Sequence, residues 1–241
     1  MGMFSEDFRI RQKINRTKLL HVKLANNSRV TRVLKITDDL GLGNKRTCAV
    51  VGNGGILLDS GCGKEIDAHD FIIRSNIAAI REYVNDVGSR TDIMTINAQG
   101  LRWLVDSLLK NGTNSKSVED FDRLRFLNES VLWFTKSIKR EGGELLTTLY
   151  DIFKKHHLPI RIAYSPENQI PTTQRIWNID FPTTGLFLYT FAAAICDNIS
   201  LYGFYPFSKG LNRDAVQHHY YEGKNLTIKR VITRFYTNIN Y

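Results

Sequence analysis

From residue 46 onward, short apolar runs alternate with longer stretches whose apolar residues recur every three or four positions. Runs of strand length fall at 48–51, at 71–76 (FIIRSN), 92–97 (DIMTIN), 130–135 (SVLWFT), 159–165 (PIRIAYS) and 198–205 (NISLYGFY). The helical pattern predicts helices over 101–111, 143–157 and 183–197. Apolar strands without polar alternation are buried on both faces, and helices between them make the crossovers of a parallel sheet. Right-handed crossovers then give an α/β, doubly wound, Rossmann-like layout with a mostly parallel sheet flanked by helices. No repeat and no Gly/Ser linker divides this part, so residues 46–241 read as one catalytic-type domain. Residues 1–45 differ. RIRQKINRTKLLHVKLANNSRVTRVLK, residues 9–35, is basic with short apolar groups and predicts one or two helices with a solvated Lys/Arg face.

Composition changes this picture little. The chain has 241 residues, 42% of them hydrophobic, enough for one large core. The net charge of +9 suits an anionic ligand or partner, although ordinary solubilising charge accounts for it equally well. No apolar run is long enough to span a bilayer or to act as a signal peptide. Yet Asn15, Asn26, Asn111, Asn128, Asn198 and Asn225 each open an Asn-X-Ser/Thr triplet, a density that favours a lumenal protein whose leader lies outside this sequence. Cys48, Cys62 and Cys196 fit no zinc spacing and leave at least one thiol unpaired.

Candidate chemistry sits at the strand ends, because ligands of such sheets bind beyond the carboxyl ends of the strands. Asn53, Asn76 and Asn97 each fall at or just after one, and three amide side chains there suit a polar ligand. Gly52, Gly54 and Gly55 predict close approach of the backbone to a phosphate, with helix N–H groups following. The spacing is not the dinucleotide glycine fingerprint, and no acidic residue stands where a dinucleotide ribose needs one. His156 and His157 end a predicted helix, and His69 reads as an internal hydrogen-bonding residue.

Three segments carry a resemblance. CAVVGNGGILLDSGCGKEIDAHDFIIRSN, continued by DVGSRTDIMTIN, resembles the large sialylmotif of the eukaryotic sialyltransferases, glycosyltransferase family 29, and is most similar to the α-2,8 branch. FPTTGLFLYTFAAAICDNISLYGFYPF, residues 181–207, resembles the small motif, and HHYYE, residues 218–222, the third. The resemblance implies a GT-A-like variant of the Rossmann layout and CMP–sialic acid as donor substrate, with neither cofactor nor metal. It also implies a sialylated glycan as acceptor, no nucleic acid partner, and inverting transfer to a terminal sialic acid. Asn53 and Asn76 match the asparagines that hold the nucleotide and leaving phosphate. Thr183, Thr184 and Gly185 match the turn at the nucleotide end. Tyr205 stands where the branch carries Trp, and His218 and His219 lie in the third motif, His219 matching the histidine close to the leaving phosphate. Cys48 and Cys196 match the family's disulfide, while Cys62 matches a cysteine whose partner lies near the C-terminus in the family.

The resemblance also implies a Golgi location and an N-terminal membrane anchor in a full-length form. The family's general base is a histidine of a later His-x4-Glu motif. Here the corresponding stretch, LTIKRVITRFYTNINY, holds neither histidine nor glutamate, so the catalytic candidate is His219 and the chain reads as C-terminally incomplete. Three readings follow: an α-2,8 sialyltransferase acting on glycoprotein or glycolipid, a catalytically impaired form that binds CMP–sialic acid or glycan without turnover, and a cytosolic nucleotide-binding Rossmann-like protein.

Overall fold

The computed structural model describes residues 21–24, 34–35, 44–127, 129–137, 142–165, 170–205, 207, 209–210 and 215–221. Its strands are β1 (His21–Leu24), β2 (Leu34–Lys35), β3 (Lys45–Val51), β4 (Phe71–Ser75), β5 (Ile93–Ile96), β6 (Val131–Ser137), β7 (Arg161–Ser165) and β8 (Cys196–Tyr202). They form one sheet in the order β2-β1-β7-β6-β5-β4-β3-β8. β3 through β8 pair in parallel, and β1 is antiparallel to both β2 and β7. The mostly parallel sheet flanked by helices is therefore as expected.

The helices are α1 (Gly63–Asp67), α2 (Val84–Val87), α3 (Ala98–Leu109), α4 (Ser115–Phe126), α5 (Gly142–Lys155), α6 (Ile170–Trp177) and α7 (Thr184–Ile195). None among the described residues is long and apolar enough to cross a membrane. On one face, α3, α4 and α5 bury Leu101, Leu104, Leu108, Phe121, Leu149 and Phe153 against Ile72, Met94 and Leu132 of the strands. On the other, α7 packs Phe187, Leu188, Phe191 and Ala192 against Val50, Ile73, Ile93 and Trp133. The Trp133 ring lies 5.3 Å from Phe187 and 4.7 Å from Phe191, each pair adding about 0.5–1.5 kcal/mol beyond area burial. α7 is apolar almost all round because α6 covers its outer side, where the Trp177 indole N–H donates to Thr190 Oγ1 at 2.8 Å.

Two expectations need correction. The helical reading of the arm fails at His21–Leu24, which is a strand on the edge of β7. The free edge of β7 offers unpaired N–H and C=O groups, and pairing with them outweighs a weak helical pattern. The remaining arm positions among 9–33 lie outside the described residues, as do Asn15, Asn26, Asn128, Asn225, Glu222 and the 226–241 stretch. Second, α4 and α6 were not expected. The α4 sequence SKSVEDFDRLRF is polar with few apolar positions, and α6 is short. Asn114 starts α4 by accepting the Ser117 N–H, which places Phe121 and Leu124 on the buried side.

The strand order sets the site. β4 to β7 run outward on one side of β3, and β8 lies on the other, so the strand order reverses between β3 and β8. A crevice opens at such a reversal. The Cys48–Cys196 disulfide joins β3 to the start of β8 across 148 residues of sequence, as the resemblance implied.

Candidate functional site

Val51 ends β3, and Gly52–Gly55 turn across the tip of β8. The three glycine amides are all engaged there. Gly52 N–H donates to Tyr202 O, Gly54 N–H to Gly203 O and Gly55 N–H to Gln217 O. A Cβ on Gly54 would stand 2.5 Å from Gly203 O, and one on Gly55 2.4 Å from Gln217 O. The expected phosphate cradle is thus corrected: these glycines admit neighbouring backbone, and their N–H groups are spent on it. The helix that follows is a single 3-10 turn, Gly55–Leu57.

Asn53 points back along β4. Its Nδ2 donates to Ser75 O at 3.3 Å and to the Tyr221 hydroxyl at 3.4 Å. Asn76 follows Ser75 with φ 58°, and Ile77 continues with φ 50°. Two successive non-glycine residues in the left-handed region form a sharp corner that asparagine tolerates better than isoleucine. The corner is held from outside. Asn76 N–H donates to Thr95 O at 2.6 Å, Arg123 Nη1 to Ile77 O at 3.4 Å, and the buried Tyr220 hydroxyl to Ala79 O at 2.6 Å. Asn97 is engaged in the scaffold through two of its atoms. Its Oδ1 caps α3 by accepting Gly100 N–H at 2.7 Å, and its own N–H meets Asn76 Oδ1 at 3.3 Å.

Thr183 caps α7, its Oγ1 accepting Leu186 N–H at 3.1 Å. This leaves the first-turn amides of Thr184 and Gly185, which have no carbonyl four residues back within the helix. Gly185 is glycine for a packing reason, since a Cβ there would sit 2.5 Å from the Phe204 ring. The same ring approaches the Cβ position of Gly52 to 3.2 Å. Phe204 therefore bridges the α7 N-terminus and the β3 tip, and sequence reasoning did not single it out. Tyr205 turns into its own loop: its hydroxyl donates to Lys209 O at 2.8 Å, and its ring meets Phe207 edge-on at 5.2 Å.

Residues 217–221 close the crevice. His219 forms a bridge with Gly54, and Tyr220 N–H donates to Asn53 O at 3.0 Å. The His218 and His219 rings are 3.9 Å apart, and His219 stacks on Tyr221 at 5.4 Å. The Tyr220 side chain is 2% exposed, and burial pushes its phenol up, opposed by the nearby Arg74 guanidinium. Tyr221, also missed, receives the Asn53 amide, while the Arg123 guanidinium lies 5.4 Å from its ring centre. Adjacent tyrosines after two histidines were the available signal.

Beneath the β4 corner lies Arg74, 1% exposed, whose desolvation lowers its pKa to about 10 despite Tyr220, Asp67 and Asp92 nearby. It donates to the carbonyls of Val87 and Arg90 and to Thr91 Oγ1. Asp67 takes the N–H groups of Ser89 and Arg90 on the same loop. Most of DVGSR is thus scaffold. His69 is internal as expected, between Glu65 O and Ser200 Oγ at 3.0 Å each. Cys62 is a free thiol.

The site therefore joins Asn53, Asn76, the Thr183–Gly185 turn and His219 around the β3/β8 reversal, and sets Tyr205 apart in its polar contacts. The arrangement offers amide donors, helix-end N–H groups and imidazole to one polar, anionic ligand.

Comparison with a solved structure supports the architecture. A mammalian sialyltransferase superposes with a TM-score of 0.50 and 21% identity, covering 93% of this chain and 71% of the other. A mammalian sialyltransferase in complex with Gal-beta-1-3GalNAc-ortho-nitrophenol gives 0.49 and 22%, covering 92% and 71%. The profile of glycosyltransferase family 29 (sialyltransferase) matches residues 3–235. With that match spanning nearly the whole sequence, this chain belongs to glycosyltransferase family 29, the sialyltransferases.

Proposed function

We propose that the chain transfers sialic acid from CMP–sialic acid to a terminal sialic acid of a glycoprotein or glycolipid glycan, forming an α-2,8 linkage with inversion. What carries this reading is the meeting of Asn53, Asn76, the Thr183 turn and His219 at one strand-order reversal. Asn53 and Asn76 bind the nucleotide and its phosphate. Thr184 and Gly185 direct helix-end amides at the anionic donor. His218, beside His219, completes the donor wall, while Lys209 O holds the Tyr205 hydroxyl away from it.

In the reaction the acceptor hydroxyl oxygen bonds to the anomeric carbon of sialic acid. The bond from that carbon to the phosphate oxygen breaks, and CMP leaves with the electron pair. His219 takes the hydroxyl proton, a service worth about 10²–10⁴ in rate for a placed base. The charge growing on the leaving phosphate meets protein N–H donors, so the step is written without a metal.

The segment 1–45 is proposed as a basic, stem-proximal arm of a Golgi lumenal domain comprising 46–241. The Cys48–Cys196 bridge supports an oxidising compartment. A second reading is favoured by one observation: the 226–241 stretch carries no His-x4-Glu. In that reading the chain holds donor or glycan without turnover.

One experiment separates them. The chain, secreted from cells, is given CMP–sialic acid and a sialylated acceptor, and CMP retention is measured alongside. New product supports catalysis by His219, and CMP binding without product supports the second reading. Unchanged CMP retention in Asn76→Ala would count against the donor site.

A further inference from the structure

A cavity of about 220 Å³ opens beside the donor crevice, between the chain leaving β4 and the outer side of α4. It shares a wall with the site already described, because Tyr221, which receives the Asn53 amide, also lines it. Tyr83 and Phe126 add two further aromatic side chains. Polar groups from both elements join them, with Glu82 on one side and Asp122 and Arg123 on the other.

Arg123 is well placed as a donor. Glu119 pairs with its Nη2 and Ile77 O receives one Nη1 N–H, so with Nε buried the donors left for a ligand are the remaining Nη N–H groups. The charges of the wall argue against an anion: Arg81 and Arg123 face Glu82, Glu119 and Asp122. Aromatic surface mixed with carboxylates and a guanidinium suits an uncharged polyhydroxy ring. Its C–H face lies on the rings, its hydroxyls donate to carboxylates, and an arginine N–H donates to a ring or hydroxyl oxygen.

We propose that this cavity binds an uncharged pyranose of the acceptor glycan, one that is not itself sialylated in the reaction. The proposal rests on the sialyltransferase reading above and deepens it: the acceptor's specificity is read beside the donor site, by α4 and residues 79–83. It also gives the Asn53–Tyr221–Arg123 contacts a second use, linking the occupied cavity to the asparagine that holds the donor.

The test uses the whole chain with 3′-sialyllactose and CMP as separate probes, followed by saturation-transfer NMR and titration. Irradiating aromatic protein protons is expected to saturate galactose and glucose C–H protons more strongly than those of sialic acid. Glu82→Gln and Asp122→Asn are each expected to weaken 3′-sialyllactose about tenfold, the effect of losing one charge-assisted hydrogen bond, with CMP affinity unchanged. Glu82 is exposed, so E82Q keeps the fold even if D122N disturbs the Arg125 contact. Saturation confined to sialic acid, or unaltered glycan affinity in both variants, overturns the cavity assignment while CMP binding upholds the donor site. A wild-type chain that binds no CMP overturns the sialyltransferase reading and this inference with it.

Discussion

The loops after β3 and β4 each carry an asparagine at a strand tip, and they are built on opposite principles. The first is a crowd of glycines whose amides are consumed by backbone from Gly203 and Gln217. The second has no glycine before Gly88 and turns through left-handed Asn76 and Ile77, held by side chains of Arg123 and Tyr220. One loop depends on absent side chains, the other on present ones. Glycine-rich tips at strand ends are readily taken for phosphate cradles, and here the distances show a joint between two loops instead.

The largest expected effect strikes the first loop. Gly54→Ala sets a Cβ against the Gly203 carbonyl oxygen, a backbone atom that cannot swing aside, and is expected to cost about 2–3 kcal/mol. Denaturant midpoints check this. Gly61→Ala is the paired control: it has open space but φ 65°, so its loss of about 1 kcal/mol reports conformation alone. Equal losses in the two variants would break the comparison.

Next comes the second loop's outside support. Tyr220→Phe deletes the donor to Ala79 O within a buried setting and is expected to cost about 1–2 kcal/mol, with weaker CMP binding. A wild-type midpoint would mean that the corner stands without the tyrosine. Smaller still is the difference between two changes at Asn76. Asn76→Ala keeps the left-handed strain and is expected to lose about 1 kcal/mol more stability than Asn76→Gly, while both lose CMP retention. Identical stabilities would deny that backbone conformation selects this residue.

The smallest effect concerns pH. Burial acts against the Asp67 carboxylate, but N–H groups of Ser89 and Arg90, the Ser89 hydroxyl and Arg74 outweigh it and hold its pKa below the usual value. A depressed carboxylate stabilises the fold above the unfolded value of about 3.9, and this is lost as pH falls through the folded value. Asp67→Asn is expected to flatten the decline of stability below about pH 4, modestly, since the group is partly exposed. An acid limb identical to wild type would assign that decline to other groups.

These contrasts also show what the chain's pattern reveals. The six parallel strands and the three long apolar helices were legible because burial on both faces leaves continuous hydrophobic runs. The polar α4 was not, since its helix rests on one cap and a narrow buried stripe. Asn53 and Asn76 stand at strand ends that the apolar runs marked, and Thr183 was singled out by the resemblance. Phe204 and Arg123 were not legible, because their roles arise from contacts between segments far apart in sequence, and Tyr221 was marked only by its place after two histidines. For the same reason the glycine amides read as vacant until Gly203 and Gln217 were seen upon them.

That last joint has a consequence for how the molecule comes together. The tip of β3 is synthesised early, yet its hydrogen bonds are completed by Gly203 and Gln217, and its disulfide closes only with Cys196, 148 residues after Cys48. Contacts so distant along the chain form late, after nearer pairings have reduced the entropy of closing the ring. The crevice is thus closed by segments far apart in sequence, and a ligand seated there fastens an earlier stretch of the chain to a much later one. Occupancy should therefore slow amide exchange across the sheet as a whole, rather than in one loop, because the bound state exists only when both of these segments are in place.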